Sequence, residues 1–207
     1  MAKEERVTFE SDGLVLEGML ARGERPLSLL MLHPHPQYGG DMDNHVVAAV
    51  CATFAAAGAS TLRFNFRGTG GSRGAFDGGK GEAADARAAA AYLRGATGGH
   101  PLILAGYSFG AMVAASAAAD ITPAALALVS PPRGGGYAQI AAGLPVLAVT
   151  GSGDSIAPPE SLEALAAAGA RTVVIPGVDH GWWPGTEELT GALISFASES
   201  VRGHHRP

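Results

Sequence analysis

The sequence predicts an α/β fold: a mostly parallel sheet of about eight strands, helices on both faces, and an antiparallel hairpin at the N-terminal edge. Three observations predict it. Short runs such as Ser28-Leu29-Leu30-Met31-Leu32 are apolar without alternation, as in strands buried on both faces. Longer alanine-rich stretches with capping residues read as helices. The two kinds of segment alternate to the end of the chain, which is the pattern of parallel crossovers. With 207 residues and 47% hydrophobic content, a single domain with a sizeable core is expected; no repeat or linker divides it.

The elements follow in order. Residues 7–9 and 14–20 flank Ser11-Asp12-Gly13, a hairpin turn. Strand 28–32 precedes a helix over 44–57, capped by Asp43 or Asn44 and stopped by Gly58. Strand 60–66 leads into a glycine-rich loop reaching about residue 81, then helix 82–94 and strand 101–105. Helix 109–120 and strands 125–129 and 145–150 come next. Helix 159–168 has Pro at its start and Gly169 beyond its end. Strand 171–175 and helix 187–198 complete the pattern, and residues 202–207 read as a frayed tail. The connection 131–143 is too short for a helical lid or cap domain.

Composition narrows the function classes. The formal net charge is -5 and no basic run occurs, so nucleic acid is not an expected partner. No apolar run is long enough to cross a membrane, and the charged start Met1-Ala2-Lys3-Glu4-Glu5-Arg6 has no signal-peptide pattern. Cys51 is the only cysteine, which excludes intramolecular disulfides. The expectation is a cytoplasmic protein without a membrane partner; its oligomeric state is open.

Gly106-Tyr107-Ser108-Phe109-Gly110 lies between a predicted strand and a predicted helix. A serine on such a turn is a nucleophile elbow, with flanking glycines where side chains would collide with neighbouring backbone. The pattern alone is weak: at 30 glycines in 207 residues it arises by chance in roughly one such chain in four. Gly70-Gly71-Ser72-Arg73-Gly74 is such a coincidence, since no strand leads directly into Ser72 and no helix follows. Ser108 is therefore the expected nucleophile. Serine needs a base and the base an orienting acid, in chain order Ser, acid, His, in loops after later strands. Asp154 is the only carboxylate in the loop after strand 145–150, and His180 the only histidine after a late strand. Asp154 as a helix cap and Asp179 as a rival acid are the alternatives.

Acyl transfer also needs two N–H donors on the developing oxyanion. Phe109, which follows the nucleophile, should supply one. The other should come from His33-Pro34-His35-Pro36-Gln37-Tyr38-Gly39-Gly40. Proline has no N–H, so the His35 amide is the expected donor, with Gln37 and Tyr38 as substitutes. His33-x-His35 lacks a third ligand at zinc spacing, and no metal or cofactor is expected. Tyr38 and Trp182 are the expected pocket walls, with Phe76, Tyr107, Ile156 and Trp183 as further candidates. Arg67 could bind an acidic substrate group, but a structural tie to a carboxylate such as Asp77 or Asp85 is favoured.

These stretches, together with Met42-Asp43-Asn44 and Arg63-Phe64-Asn65-Phe66-Arg67-Gly68, resemble the α/β-hydrolase superfamily over nearly the whole chain. They are most similar to small lidless bacterial serine hydrolases with a His-Pro-His-Pro loop. The resemblance implies an eight-stranded fold, a Ser108–Asp154–His180 triad and cofactor-independent hydrolysis of small carboxylic esters. A thioesterase with the same triad is one alternative, and a non-catalytic ligand-binding protein on this fold is the other.

Overall fold

A computed structural model describes residues 3–203. Its sheet has eight strands in the order β1-β2-β4-β3-β5-β6-β7-β8. β1 (Glu4–Ser11) and β2 (Leu14–Ala21) form the antiparallel hairpin. Their two-residue turn places Asp12 and Gly13 at φ 50° and 77°, the mirror-image turn that matches strand twist. β2 pairs antiparallel with β4 (Ser60–Phe64); all later neighbours are parallel.

β3 (Ser28–Leu32), β5 (Leu102–Tyr107), β6 (Ala125–Val129) and β7 (Val146–Gly151) are buried throughout. Their alternate side chains feed two cores. Leu30, Leu32 and Leu104 face α2 (Lys80–Thr97) and α3 (Phe109–Ile121). Leu29, Met31 and Ile103 face α1 (His45–Ala56) and α5 (Thr186–Gly203). β8 (Arg171–Ile175) is the last strand of the order and is largely exposed, unlike its fully buried neighbours.

Most differences from the predicted boundaries have local causes. Asn44, not Asp43, caps α1, its side-chain oxygen accepting the Val46 amide at 3.0 Å. α2 starts before Glu82 because that carboxylate reaches back to the Gly79 and Asp77 amides (2.7 and 2.8 Å). Residues 159–168 divide into a 3₁₀ turn (Pro159–Leu162) and the short α4 (Glu163–Ala167). α5 runs to Gly203, so residues 202 and 203 are helical rather than frayed, and 204–207 lie outside the described residues. No described helix is long and apolar enough to cross a membrane. Only the 3₁₀ turn Tyr137–Gln139 separates β6 from β7, so no lid covers the sheet edge there.

Candidate active site

β4 lies on one side of β3 and β5 on the other, so the chain leaves the carboxyl ends of β3 and β5 in opposite directions. A crevice at such a point is where open α/β sheets build sites. Ser108 stands there, in the turn from β5 to α3. Its φ is 55°, a left-handed conformation costly for a residue with a Cβ. The turn is possible because both flanking glycines are needed. A Cβ on Gly106 would sit 2.1 Å from the Gly110 carbonyl oxygen, and one on Gly110 would sit 2.4 Å from that of Leu32.

The structure brings Ser108, His180 and Asp154 together from three loops. His180 Nε2 is 3.1 Å from Ser108 Oγ, and its Nδ1 is 2.9 and 2.8 Å from the two Asp154 oxygens. Asp154 is buried but satisfied. The amides of Ile156 and Ala157 donate to Oδ1 at 3.0 and 2.7 Å, and Thr150 Oγ1 lies 3.3 Å from Oδ2. Burial alone would raise its carboxyl pKa. Hydrogen bonds from His180, the Ala157 amide and Ser130 outweigh that and hold it below the ordinary carboxylate value.

The rival residues are occupied elsewhere. Asp179 accepts the Gly181 amide (2.9 Å) in its own turn. Ser72 donates to the Asn65 carbonyl (2.6 Å) and accepts the Glu17 amide. Both ring nitrogens of His33 are committed as well: Nδ1 to the Pro34 carbonyl (2.6 Å), Nε2 to the Phe66 amide (3.1 Å). Burial therefore pushes the His33 pKa down to about 4, partly offset by the Pro34 contact. The neutral ring ties the β3 loop to the β4 loop.

That loop narrows the second oxyanion donor. The Gln37 amide donates to the His35 ring and the Tyr38 amide to the His35 carbonyl (3.2 and 3.1 Å). The His35 amide has no partner among the described residues, which leaves it free for a ligand. Phe109 opens α3, so its amide is one of the first-turn N–H groups that no helical carbonyl can reach.

A cavity of about 650 Å³ covers Ser108, lined by His35, Tyr38, Phe76, Phe109, Met112 and Ile156 among others. Tyr38 is 87% exposed at its mouth. The expectation for Trp182 is overturned: its side chain is fully buried and its indole N–H donates to Ser130 Oγ at 2.9 Å. It backs the acid instead of facing substrate, because a φ of 61° at Trp182 turns the chain inward just after His180. Trp183 lies outside the cavity lining and stacks on His45, ring centroids 3.9 Å apart.

Two further residues support the site. Ser130, also left-handed (φ 45°), links Trp182 to Asp154. Tyr107, a candidate wall by sequence, also donates its hydroxyl to the His180 carbonyl. Ser130 directly follows a buried apolar strand, at the sheet edge where site residues gather; that position was the available signal. The arginines are structural. Arg67 pairs doubly with the buried Asp85, and Arg63 binds Glu4, Asp43 and the Met42 carbonyl.

The sequence pattern of the hydrolase family described as serine aminopeptidase, S33, matches residues 39–143, half of the chain. The chain belongs to that family. Within this S33 family member the matched stretch contains Ser108, while Asp154 and His180 lie beyond it. An α/β serine hydrolase without lid from Xanthomonas campestris superimposes with a TM-score of 0.86 at 29% identity, covering 99% of this chain and 97% of that one. An α/β serine hydrolase homologue from Coxiella burnetii gives 0.86 at 32% identity over 94% and 97%. Est1E from Butyrivibrio proteoclasticus, described with bound ferulic acid, shares the fold (TM-score 0.81, 23% identity, 95% and 99% covered). Curated relatives from Rickettsia prowazekii and Mycobacterium tuberculosis are 42% and 35% identical over 48% and 69% of this chain. The chain spans 43% and 60% of those relatives' lengths.

Proposed function

We infer that this serine hydrolase is a carboxylesterase working through an acyl-enzyme. The observation that carries the reading is the hydrogen-bonded line from Ser108 Oγ through His180 to the buried Asp154. In this mechanism His180 Nε2 takes the Ser108 proton as Oγ attacks the ester carbonyl carbon. The oxyanion is held by the Phe109 and His35 amides. Collapse breaks the bond to the alcohol oxygen, which takes the proton from His180. Water, deprotonated by the same ring, then attacks the acyl-enzyme and releases the acid, and Ser108 regains its proton. Asp154 fixes the tautomer and stabilises the imidazolium. No step needs a metal or cofactor.

Aminopeptidase action, which the family description names, is less well supported. A free α-ammonium group needs a counter-charge. No carboxylate lines the cavity over Ser108. Its walls suit a neutral or apolar ester, and the esterase fold neighbours are consistent with that. The proposal includes a small-molecule substrate, no nucleic-acid or membrane partner and a cytoplasmic location.

Intact-mass labelling with a fluorophosphonate tests the reading. One adduct on the native chain and none on Ser108→Ala is the expected result, followed by turnover of p-nitrophenyl esters. No adduct on the folded native chain would overturn it in favour of a binding role. Turnover of aminoacyl anilides or thioesters ahead of esters would keep the nucleophile and change the substrate class.

A further inference from the structure

A second cavity adjoins the one over Ser108. Gly78, Phe109 and Met112 line both, and the second, of about 370 Å³, lies on the α2–α3 flank. Along α3 that second cavity is lined by Phe109, Met112, Val113 and Ser116, and along α2 by Lys80, Ala83 and Arg87. Such spacings place residues on one helix face. Seven residues of helix span about 10 Å, so this is a groove of about that length.

The groove is apolar beside Ser108 and basic along α2. Lys80 is exposed and has no ion-pair partner among the described residues. Arg87, further along, reaches across to Asp120 at 3.2 Å. No carboxylate lines either cavity, and the neighbouring Glu82 is occupied by the Asp77 and Gly79 amides. Lys80 and Arg87 are therefore the charged groups of a lining that holds no carboxylate.

Topology says which part of an ester would enter. His180, which protonates the leaving alcohol in the mechanism above, follows β8. α2 packs on the opposite side of β5, over β1, β3 and β4. The alcohol therefore leaves toward β8, and the acyl chain runs along α3 toward Lys80 and Arg87.

We propose that this groove is an acyl subsite for esters whose acyl chain ends in an anion, the half-ester of an aliphatic dicarboxylic acid being the simplest. It rests on the serine-esterase reading above. Calorimetric titration of Ser108→Ala with monomethyl adipate and with methyl hexanoate compares equal chain lengths without turnover. The half-ester binds about fivefold more tightly, as for an exposed ion pair, and its advantage shrinks as salt rises. Adding Lys80→Ala removes that advantage. Equal affinities, or an advantage that survives Lys80→Ala, overturns the proposal. On the native protein, kcat/KM for the matching p-nitrophenyl esters follows the same order. If neither ester is turned over, the esterase reading fails, while the titration still decides the groove.

Discussion

The two halves of the site are built on opposite principles. Around Asp154, Ser130, Thr150 and Trp182 are buried, and every one is hydrogen-bonded. Around His35, Tyr38 and Phe76 the side chains meet as a ring cluster, with centroids about 4.8 and 4.9 Å apart, in which Tyr38 is exposed and His35 and Phe76 are half-buried. Backbone strain follows the same division. Of the five described non-glycine residues at positive φ, Ser108 carries the hydroxyl in line with His180, and Ser130 and Trp182 form the layer behind Asp154. The half around Asp154 is over-determined, as the proton transfers of the proposed mechanism require. The other half is less tightly held, and in the proposed function it decides what fits over Ser108.

That division can be broken in stages. The largest effect is expected at the triad. Ser108→Ala should lower kcat by about 10⁶, and Asp154→Asn by about 10⁴, as in the serine-protease template, measured with p-nitrophenyl acetate. A loss under tenfold at Asp154 would place the acid elsewhere.

Next comes the loop tie at His33. Its folded-state pKa is depressed, so its stabilising share is complete above the unfolded value near 6.5. It is lost as pH falls toward the folded value of about 4. The loss is on the order of 3 kcal/mol, read as a falling denaturant midpoint between those pH values. His33→Gln should flatten that slope; an equal slope would assign the titration to other groups.

Ser130→Ala should cost about 1–3 kcal/mol of stability, because the Trp182 N–H loses its buried acceptor. It should also raise the Asp154 pKa, displacing the acid limb of the kcat/KM profile upward. Trp182→Phe removes the unpaired donor and should recover part of the stability. A Ser130→Ala profile identical to that of the native chain would confine Ser130 to packing.

The smallest effect is expected at Tyr38. Tyr38→Ala should change KM for apolar esters a few-fold and alter the melting temperature little, since the ring is exposed. A large stability loss there would mean that the substrate half is as tightly held as the acid half.

Much of this arrangement was legible beforehand. The apolar runs placed the four central strands within one or two residues, since a strand buried on both faces leaves no polar alternation to misread. Ser108 is legible because it directly follows such a strand, and Asp154 and His180 because each is the one residue of its type in the loop after a late strand, β7 and the exposed β8. Trp182 departs from expectation because nearness to His180 in sequence says nothing about which way a side chain turns. Ser130 is not legible in sequence because its contacts are with Trp182 and Asp154, far along the chain. The groove beside α3 was invisible for a similar reason: the faces of α2 and α3 can be listed from sequence, but not their mutual orientation.

The sequence by itself therefore determined the strand order's raw material, the nucleophile turn and the three residues it brings into line, because these depend on local pattern and chain order. Tertiary structure decided which groups stand behind them and which face substrate. Those outcomes depend on left-handed turns at Ser130 and Trp182 and on the packing of α2 against α3, where long-range contacts override local preference.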